Sequence, residues 1–115
     1  MNLVIKSKER NKNDRRNKNL VTFEVDGVEK KINIIYLTVH HKLEQYKCEN
    51  ARFNAFLCDE LYEDVEKYVL NKYDCTWKEF GDYFMYKLYK YSRGINLSKE
   101  CINNDEQFLK RMEVL

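Results

Sequence analysis

The sequence is poor in small and turn-forming residues. Of its 115 residues, three are glycine and none is proline. Three glycines are too few for the glycine-rich loops that cradle phosphates, and neither a P-loop nor a Gly-x-Gly-x-x-Gly pattern occurs. The Gly-x-Ser-x-Gly turn of a nucleophilic serine is also absent. We therefore expect a protein without catalytic activity and without a cofactor.

Long apolar runs are missing as well. No stretch approaches the 18 or so apolar residues that a membrane-spanning helix needs. The apolar run at residues 3–5 is far too short for a secretory signal. From these features we expect a cytoplasmic location in a bacterial host cell and no membrane partner.

Close cysteine spacing is a further absence. The chain has four cysteines and no Cys-x₂-Cys pair, and without an export signal reduced thiols are expected. His40 and His41 lie upstream of Cys48 and Cys58, but these four residues do not have the spacing of a zinc site. We expect no metal. The cysteines are Cys48, Cys58, Cys75 and Cys101.

Lysine, asparagine and tyrosine are abundant instead, and the chain contains nine tyrosines. Codons for these residues are AT-rich, whereas those for alanine, glycine and proline are GC-rich. This bias favours a gene from an AT-rich bacterium, or from one of its phages or mobile elements.

Alternation of apolar residues predicts a small N-terminal sheet. Val21, Phe23 and Val25 share one face of a strand. Asp26-Gly27 predicts a two-residue hairpin turn of type I′, and the return strand is expected over residues 28–39. The run Leu3–Ile5 favours a further strand that pairs across a long basic loop.

Helical periodicity replaces this alternation from about residue 41. A short helix is predicted around Leu43, Tyr46 and Lys47. The next helix is predicted from an N-cap at Asn50, and its apolar residues are Phe53, Phe56, Leu57, Leu61, Val65, Tyr68 and Val69.

Two further helices are predicted towards the C-terminus. Thr76-Trp77-Lys78-Glu79 is a capping box, and Gly94 is expected just beyond the end of that helix. The apolar positions of that helix are Trp77, Phe80, Phe84, Leu88 and Tyr91. Asn104 or Ser98 is expected to cap a final helix that carries Phe108, Leu109 and Met112. The predicted fold class is α+β: one domain over residues 1–115, with a small antiparallel sheet of two or three strands followed by about three helices.

The basic segment, residues 6–19, is the first candidate for function. It holds seven Lys or Arg against two acidic residues, a charge of +5 in a chain of net +2, so the remainder sums to −3. We expect it to be mobile and to bind nucleic acid or an acidic protein surface; the alternative is a solvated loop. The binding residues predicted there are Lys8, Arg10, Lys12, Arg15, Arg16 and Lys18.

An acidic cluster is the second candidate. Five carboxylates fall within eight residues of a predicted helix: Asp59, Glu60, Glu63, Asp64 and Glu66. A negative row of this kind can dock into a basic groove that normally holds nucleic acid. The alternative is an ordinary solvated helix face.

A ridge of tyrosines is the third candidate. Tyr83, Tyr86 and Tyr89 recur every third residue, outside the apolar positions assigned to the core. Amphipathic tyrosines are enriched at interfaces, so the ridge is expected to bind a partner or to form a homodimer seam. The alternative is a helix that is buried on two sides.

Together these features favour a small non-catalytic protein that binds a host protein or nucleoprotein complex concerned with nucleic-acid processing or defence. An anti-restriction or anti-CRISPR inhibitor encoded by a phage or mobile element is the most specific form of this hypothesis. The alternative is a nucleic-acid-binding regulator that uses the segment from Lys6 to Lys18.

Overall fold

The computed structural model describes residues 1–15, 18–35, 57–91 and 102–115. Within these ranges a three-stranded antiparallel sheet is followed by three helices, which confirms the predicted α+β class. The strands are β1 (Leu3–Arg10), β2 (Lys18–Val25) and β3 (Val28–Ile35). The helices are α1 (Leu61–Lys72), α2 (Trp77–Tyr91) and α3 (Glu106–Val114).

The predicted hairpin turn joins β2 to β3. Asp26 and Gly27 have φ angles of 49° and 83°, the positive values that a type I′ turn requires at both central positions. Val25 pairs with Val28 on either side of the turn. The Asp26 carboxylate accepts a hydrogen bond from the Asn2 backbone N–H at 2.8 Å, which ties the turn to the start of β1.

The basic segment contributes more strand than its sequence predicts. β1 continues to Arg10 and β2 begins at Lys18, and the two strands pair across the intervening turn. Charged residues hide the apolar alternation that identifies a strand, yet pairing with β2 satisfies the backbone groups of β1 all the same. The expected interruption after Ile5 is therefore wrong for residues 6–10 and 18–19.

A β-bulge at Lys6 changes which side chains of β1 face the helices. The register shifts between Ile5 and Ser7, so that Lys8 pairs with Val21 and Arg10 with Asn19. Directly paired residues share a face of the sheet. Beyond the bulge, the helix-covered face of β1 therefore carries cations in place of apolar residues.

The core lies between one face of the sheet and the helices. Val21, Phe23, Val25, Ile32 and Ile34 are fully buried there. The central strand, β2, supplies the first three, as its alternation predicts, and β3 supplies the two isoleucines.

Helix α1 begins later than its apolar periodicity predicts. Leu57 is extended and forms an antiparallel bridge with Ile34, next to the outer edge of β3. The Asp59 carboxylate then accepts a hydrogen bond from the Leu61 backbone N–H at 3.1 Å, where the helix starts. Leu61 is exposed, whereas Val65 and Val69 are fully buried, so the core contact of α1 is narrower than predicted.

Helix α2 begins with the capping box that its sequence predicts. The Glu79 backbone N–H donates to the Thr76 hydroxyl at 3.1 Å, and the Thr76 backbone N–H donates to the Glu79 carboxylate at 2.9 Å. Phe80, Phe84 and Leu88 are fully buried as expected. Tyr91 is 48% exposed, so its assignment to the core is wrong.

Helix α3 is capped by Asp105 rather than by Asn104. The Asp105 carboxylate accepts from the Phe108 backbone N–H at 2.9 Å, and Met112 is fully buried one turn later. The α-amino group of Met1 donates to the backbone carbonyls of Met112 and Glu113 at 3.0 and 2.8 Å. A cation at the C-terminal end of a helix is favourable, and this contact joins the two ends of the described chain.

Several predicted features lie outside the described residues. They are the strand beyond residue 35, the short helix at Leu43, Tyr46 and Lys47, the N-cap Asn50, Phe53, Phe56, Arg16, Gly94, Ser98, His40, His41, Cys48 and Cys101.

Candidate partner-binding surface

Three cations of the basic segment project from the end of the β1–β2 hairpin. Arg10, Lys12 and Arg15 are exposed, and within the described ranges none of them forms an ion pair. The turn that carries them is closed by a hydrogen bond from the Asn11 N–H to the Lys18 carbonyl at 2.8 Å. We call these three residues the hairpin tip.

The other described cations of this segment have different environments. Lys6 pairs with Glu24 at 3.3 Å, and Lys18 pairs with Asp59 at 3.2 Å. Lys8 is half-buried on the helix-covered face of the sheet. The predicted set of binding cations therefore contracts to the hairpin tip among the residues that the structure describes.

The five predicted carboxylates do not form one free row. Asp59 accepts hydrogen bonds from Asn33 and from the Leu61 backbone as well as the Lys18 ion pair. Asp64 pairs with Lys30 of β3 at 2.9 Å, and its side chain is 76% exposed. Both aspartates therefore have a cationic partner within the molecule, and binding of a partner through the five carboxylates stays a prediction.

The three glutamates remain as a separate group on α1. Glu60 is the N-cap residue, and Glu63 and Glu66 follow at intervals of three; Glu60 and Glu63 are exposed, and Glu66 is half-buried. None of their carboxylates has an ion pair or hydrogen-bond partner in the part of the chain that the structure describes. We call these three residues the acidic face.

Asp59 joins the two charged groups. Partial burial opposes ionisation of its carboxyl, but hydrogen bonds from Leu61 and Asn33 and the charge of Lys18 outweigh that cost and lower its pKa below the ordinary 3.8. Lys18 begins the strand that leaves the hairpin turn, and Asp59 directly precedes Glu60. The start of α1 therefore lies beside the hairpin, and the Lys30–Asp64 pair shows that the helix then runs along the sheet away from it.

The tyrosine ridge is largely part of the core. Tyr83 is 1% exposed, and burial raises the pKa of its hydroxyl to about 12. Tyr86 and Tyr89 are half-buried and pack against the core, with the Lys90 ammonium 5.5 Å from the centre of the Tyr86 ring. This burial matches the alternative of a helix covered on two sides, and Tyr83 is not available to a partner.

A cavity that sequence reasoning missed opens beside the acidic face. Its volume is about 500 Å³, and its lining residues are Leu57, Tyr62, Glu63, Glu66 and Lys67. The sequence pattern predicts that Leu57 packs into the core from a helix, so it gives no indication that Leu57 lines this cavity. The available signal was the pair Glu63 and Glu66, whose spacing sets them side by side on a helix.

The described residues carry no arrangement typical of a metal centre or a reactive thiol. Among them, no group of three or more histidine, cysteine or acidic side chains could hold a metal ion. Cys58 and Cys75 form no disulfide in the described part of the chain, and burial raises the pKa of Cys75, which disfavours the nucleophilic thiolate. None of the described helices has the length and apolar character needed to cross a membrane.

Comparison with known proteins adds no relative. No family model matches this sequence, and no curated protein or solved structure matches it either.

Proposed function

We propose that this protein is a small non-catalytic module, encoded by a phage or mobile element, that binds and occupies a host protein concerned with nucleic-acid processing or defence. Its most specific form is an anti-restriction or anti-CRISPR inhibitor. One observation carries the proposal: one small fold presents two groups of opposite charge that have no ion pair among the described residues, the hairpin tip and the acidic face, and the Lys18–Asp59 ion pair joins the hairpin to the start of α1.

The mixture of signs favours a protein partner over nucleic acid. A phosphate backbone carries one sign only, so it could match the hairpin tip but would be repelled by the carboxylates of the acidic face. A protein surface can match both groups at once. Such complementarity steers association and excludes partners whose charges are arranged differently.

The acidic face supports a partner that handles nucleic acid. Proteins of that kind present basic grooves, and three carboxylates spaced every three residues from the N-cap of α1 are complementary to such a groove. With Asp59 and Asp64 neutralised internally, Glu60, Glu63 and Glu66 carry this interaction.

Apolar contact would come from α1 rather than from the tyrosines. Leu70 is 43% exposed and lies one turn beyond Glu66, on the same side of the helix. An apolar residue ringed by charged side chains is typical of the centre of a protein interface, where most of the binding free energy is concentrated.

Charge reversal tests the proposal. The chain is immobilised, and partners are captured from a nuclease-treated lysate of an AT-rich bacterium. We expect the triple variant E60K/E63K/E66K to capture at least about tenfold less partner than the parent chain does, because reversed charges at an interface repel the complementary surface.

The matched control is E29K/E106K/E113K, which makes the same charge change at exposed glutamates outside the hairpin tip and the acidic face and is expected to capture as the parent does. Equal capture by the two triple variants would contradict the proposal. A partner that disappears with nuclease treatment would contradict it too.

A nucleic-acid-binding regulator is the second candidate. The observation in its favour is the hairpin tip, where two arginines and a lysine are exposed and unpaired in the described chain. Guanidinium groups suit phosphate oxygens, since they donate two parallel hydrogen bonds.

A further inference from the structure

The cavity beside the acidic face has the size and lining of a binding pocket. Its 500 Å³ lies within the range of roughly 300–1,000 Å³ that ligand pockets occupy. We propose that it receives an arginine side chain of the partner protein. This inference deepens the proposed function, on which it rests, by naming the chemistry of the contact.

The apolar part of the lining is held in place by the fold. Leu57 is fixed by its bridge to Ile34, and Tyr62 packs against the core from the first turn of α1. Both side chains are partly buried. They offer an apolar wall to the aliphatic stem of a long side chain, whose burial is favourable as long as the charged head finds a partner.

The charged part of the lining selects a cation. Glu63 and Glu66 lie one turn apart, and neither carboxylate has a partner in the described part of the molecule. Glu66 is half-buried, so it has lost hydration without gaining a hydrogen bond. With Lys67 the lining carries a net charge of −1, which a single guanidinium would neutralise.

Arginine suits this lining better than lysine. Its planar fork donates to carboxylates at two points, whereas an ammonium acts as a point charge. The ring of Tyr62 in the wall adds a surface over which a guanidinium can stack.

A titration with a blocked peptide tests this inference. N-acetyl-Gly-Arg-Gly-amide is added to the labelled full chain, and chemical shifts of the Leu57 methyls and the Tyr62 ring are followed. We expect saturable shifts at both residues. E63Q/E66Q should raise Kd at least about fivefold, and K67Q should lower it, because each carboxylate attracts the guanidinium and Lys67 repels it.

The controls separate charge from shape and position. The same peptide with citrulline in place of arginine keeps the shape and loses the charge, and it should not bind. E9Q/E29Q removes two exposed carboxylates elsewhere and should leave Kd unchanged. Absence of shifts, equal binding of the citrulline peptide, or an equal effect of E9Q/E29Q would each overturn the inference.

The outcome is distinguishable from failure of the proposed function. If the peptide does not bind while partner capture still depends on the acidic face, the inference that the cavity receives an arginine is contradicted and the proposed function is not. If the peptide binds as expected while no partner survives nuclease treatment, the proposed function falls and the cavity remains a site for a guanidinium.

Discussion

Replacing Phe84 by alanine is expected to lower the free energy of unfolding by about 3–5 kcal/mol. Phe84 is fully buried, and its ring meets that of Phe23 edge to face at a centroid distance of 5.0 Å. Phe23 belongs to the central strand, so this one contact links α2 to the sheet. Within α2, the centre of the Phe84 ring lies 6.0 Å from that of Phe80. Truncation would leave a cavity and remove an aromatic pair at the same time.

Urea denaturation measures this effect through the midpoint and slope of unfolding. Tyr91→Ala is the matched control: it truncates an aromatic residue of the same helix that is half exposed, and it should cost less than about 1 kcal/mol. Similar losses for the two variants would mean that the packing of α2 against the sheet is not the main source of stability.

Replacing Asp59 by alanine is expected to cost about 2 kcal/mol. The substitution removes the hydrogen bond to the Leu61 N–H at the start of α1, the contact with Asn33 and the ion pair with Lys18. Loss of one such hydrogen bond alone costs about 1 kcal/mol. Asp59→Asn keeps the side-chain oxygen that accepts from the Leu61 N–H and loses only the charge, so it should cost about half as much.

The Asp59 effect should depend on pH. Because the folded protein lowers the pKa of this carboxyl below 3.8, ionised Asp59 stabilises the fold above the unfolded pKa. That stabilisation is lost as the pH falls through the folded pKa. Urea denaturation of the parent protein and of Asp59→Ala, at neutral pH and near pH 3, measures this effect. The difference in unfolding free energy between the two proteins should be smaller at the lower pH. A difference that grows on acidification would contradict the assignment.

Much of the fold could be predicted because local signals and packing agree. Asp26-Gly27 dictates its turn, Thr76 and Glu79 dictate the start of α2, and alternation in β2 identifies the buried face. In each case a single residue type meets a local geometric need that few other residues satisfy.

The rest depends on contacts between distant parts of the chain. Leu57 has a helical spacing from Leu61, but the edge of β3 offers it a bridge to Ile34 instead. The spacing of Tyr83 predicts an exposed residue, but neighbouring parts of the fold cover that side of α2, and Tyr83 is buried.

The candidate surface was harder to predict than the fold. Charge runs in the sequence identify the basic segment and the acidic cluster, yet they cannot show which charges neutralise one another. Lys18 with Asp59 and Lys30 with Asp64 are ion pairs between residues far apart in the chain. Once these pairs are known, the hairpin tip and the acidic face remain as the cations of the basic segment and the carboxylates of the acidic cluster that have no ion pair among the described residues.

A titration of labelled duplex DNA and single-stranded RNA, at about 50 and 200 mM salt, tests most directly whether the surface binds protein rather than nucleic acid. We expect no measurable affinity at the lower salt, because the hairpin tip supplies only three cations and the carboxylates of the acidic face repel phosphates. Affinity that falls steeply with salt would contradict it, provided that R10Q/K12Q/R15Q abolishes the affinity and the matched control K31Q/K67Q/K110Q does not.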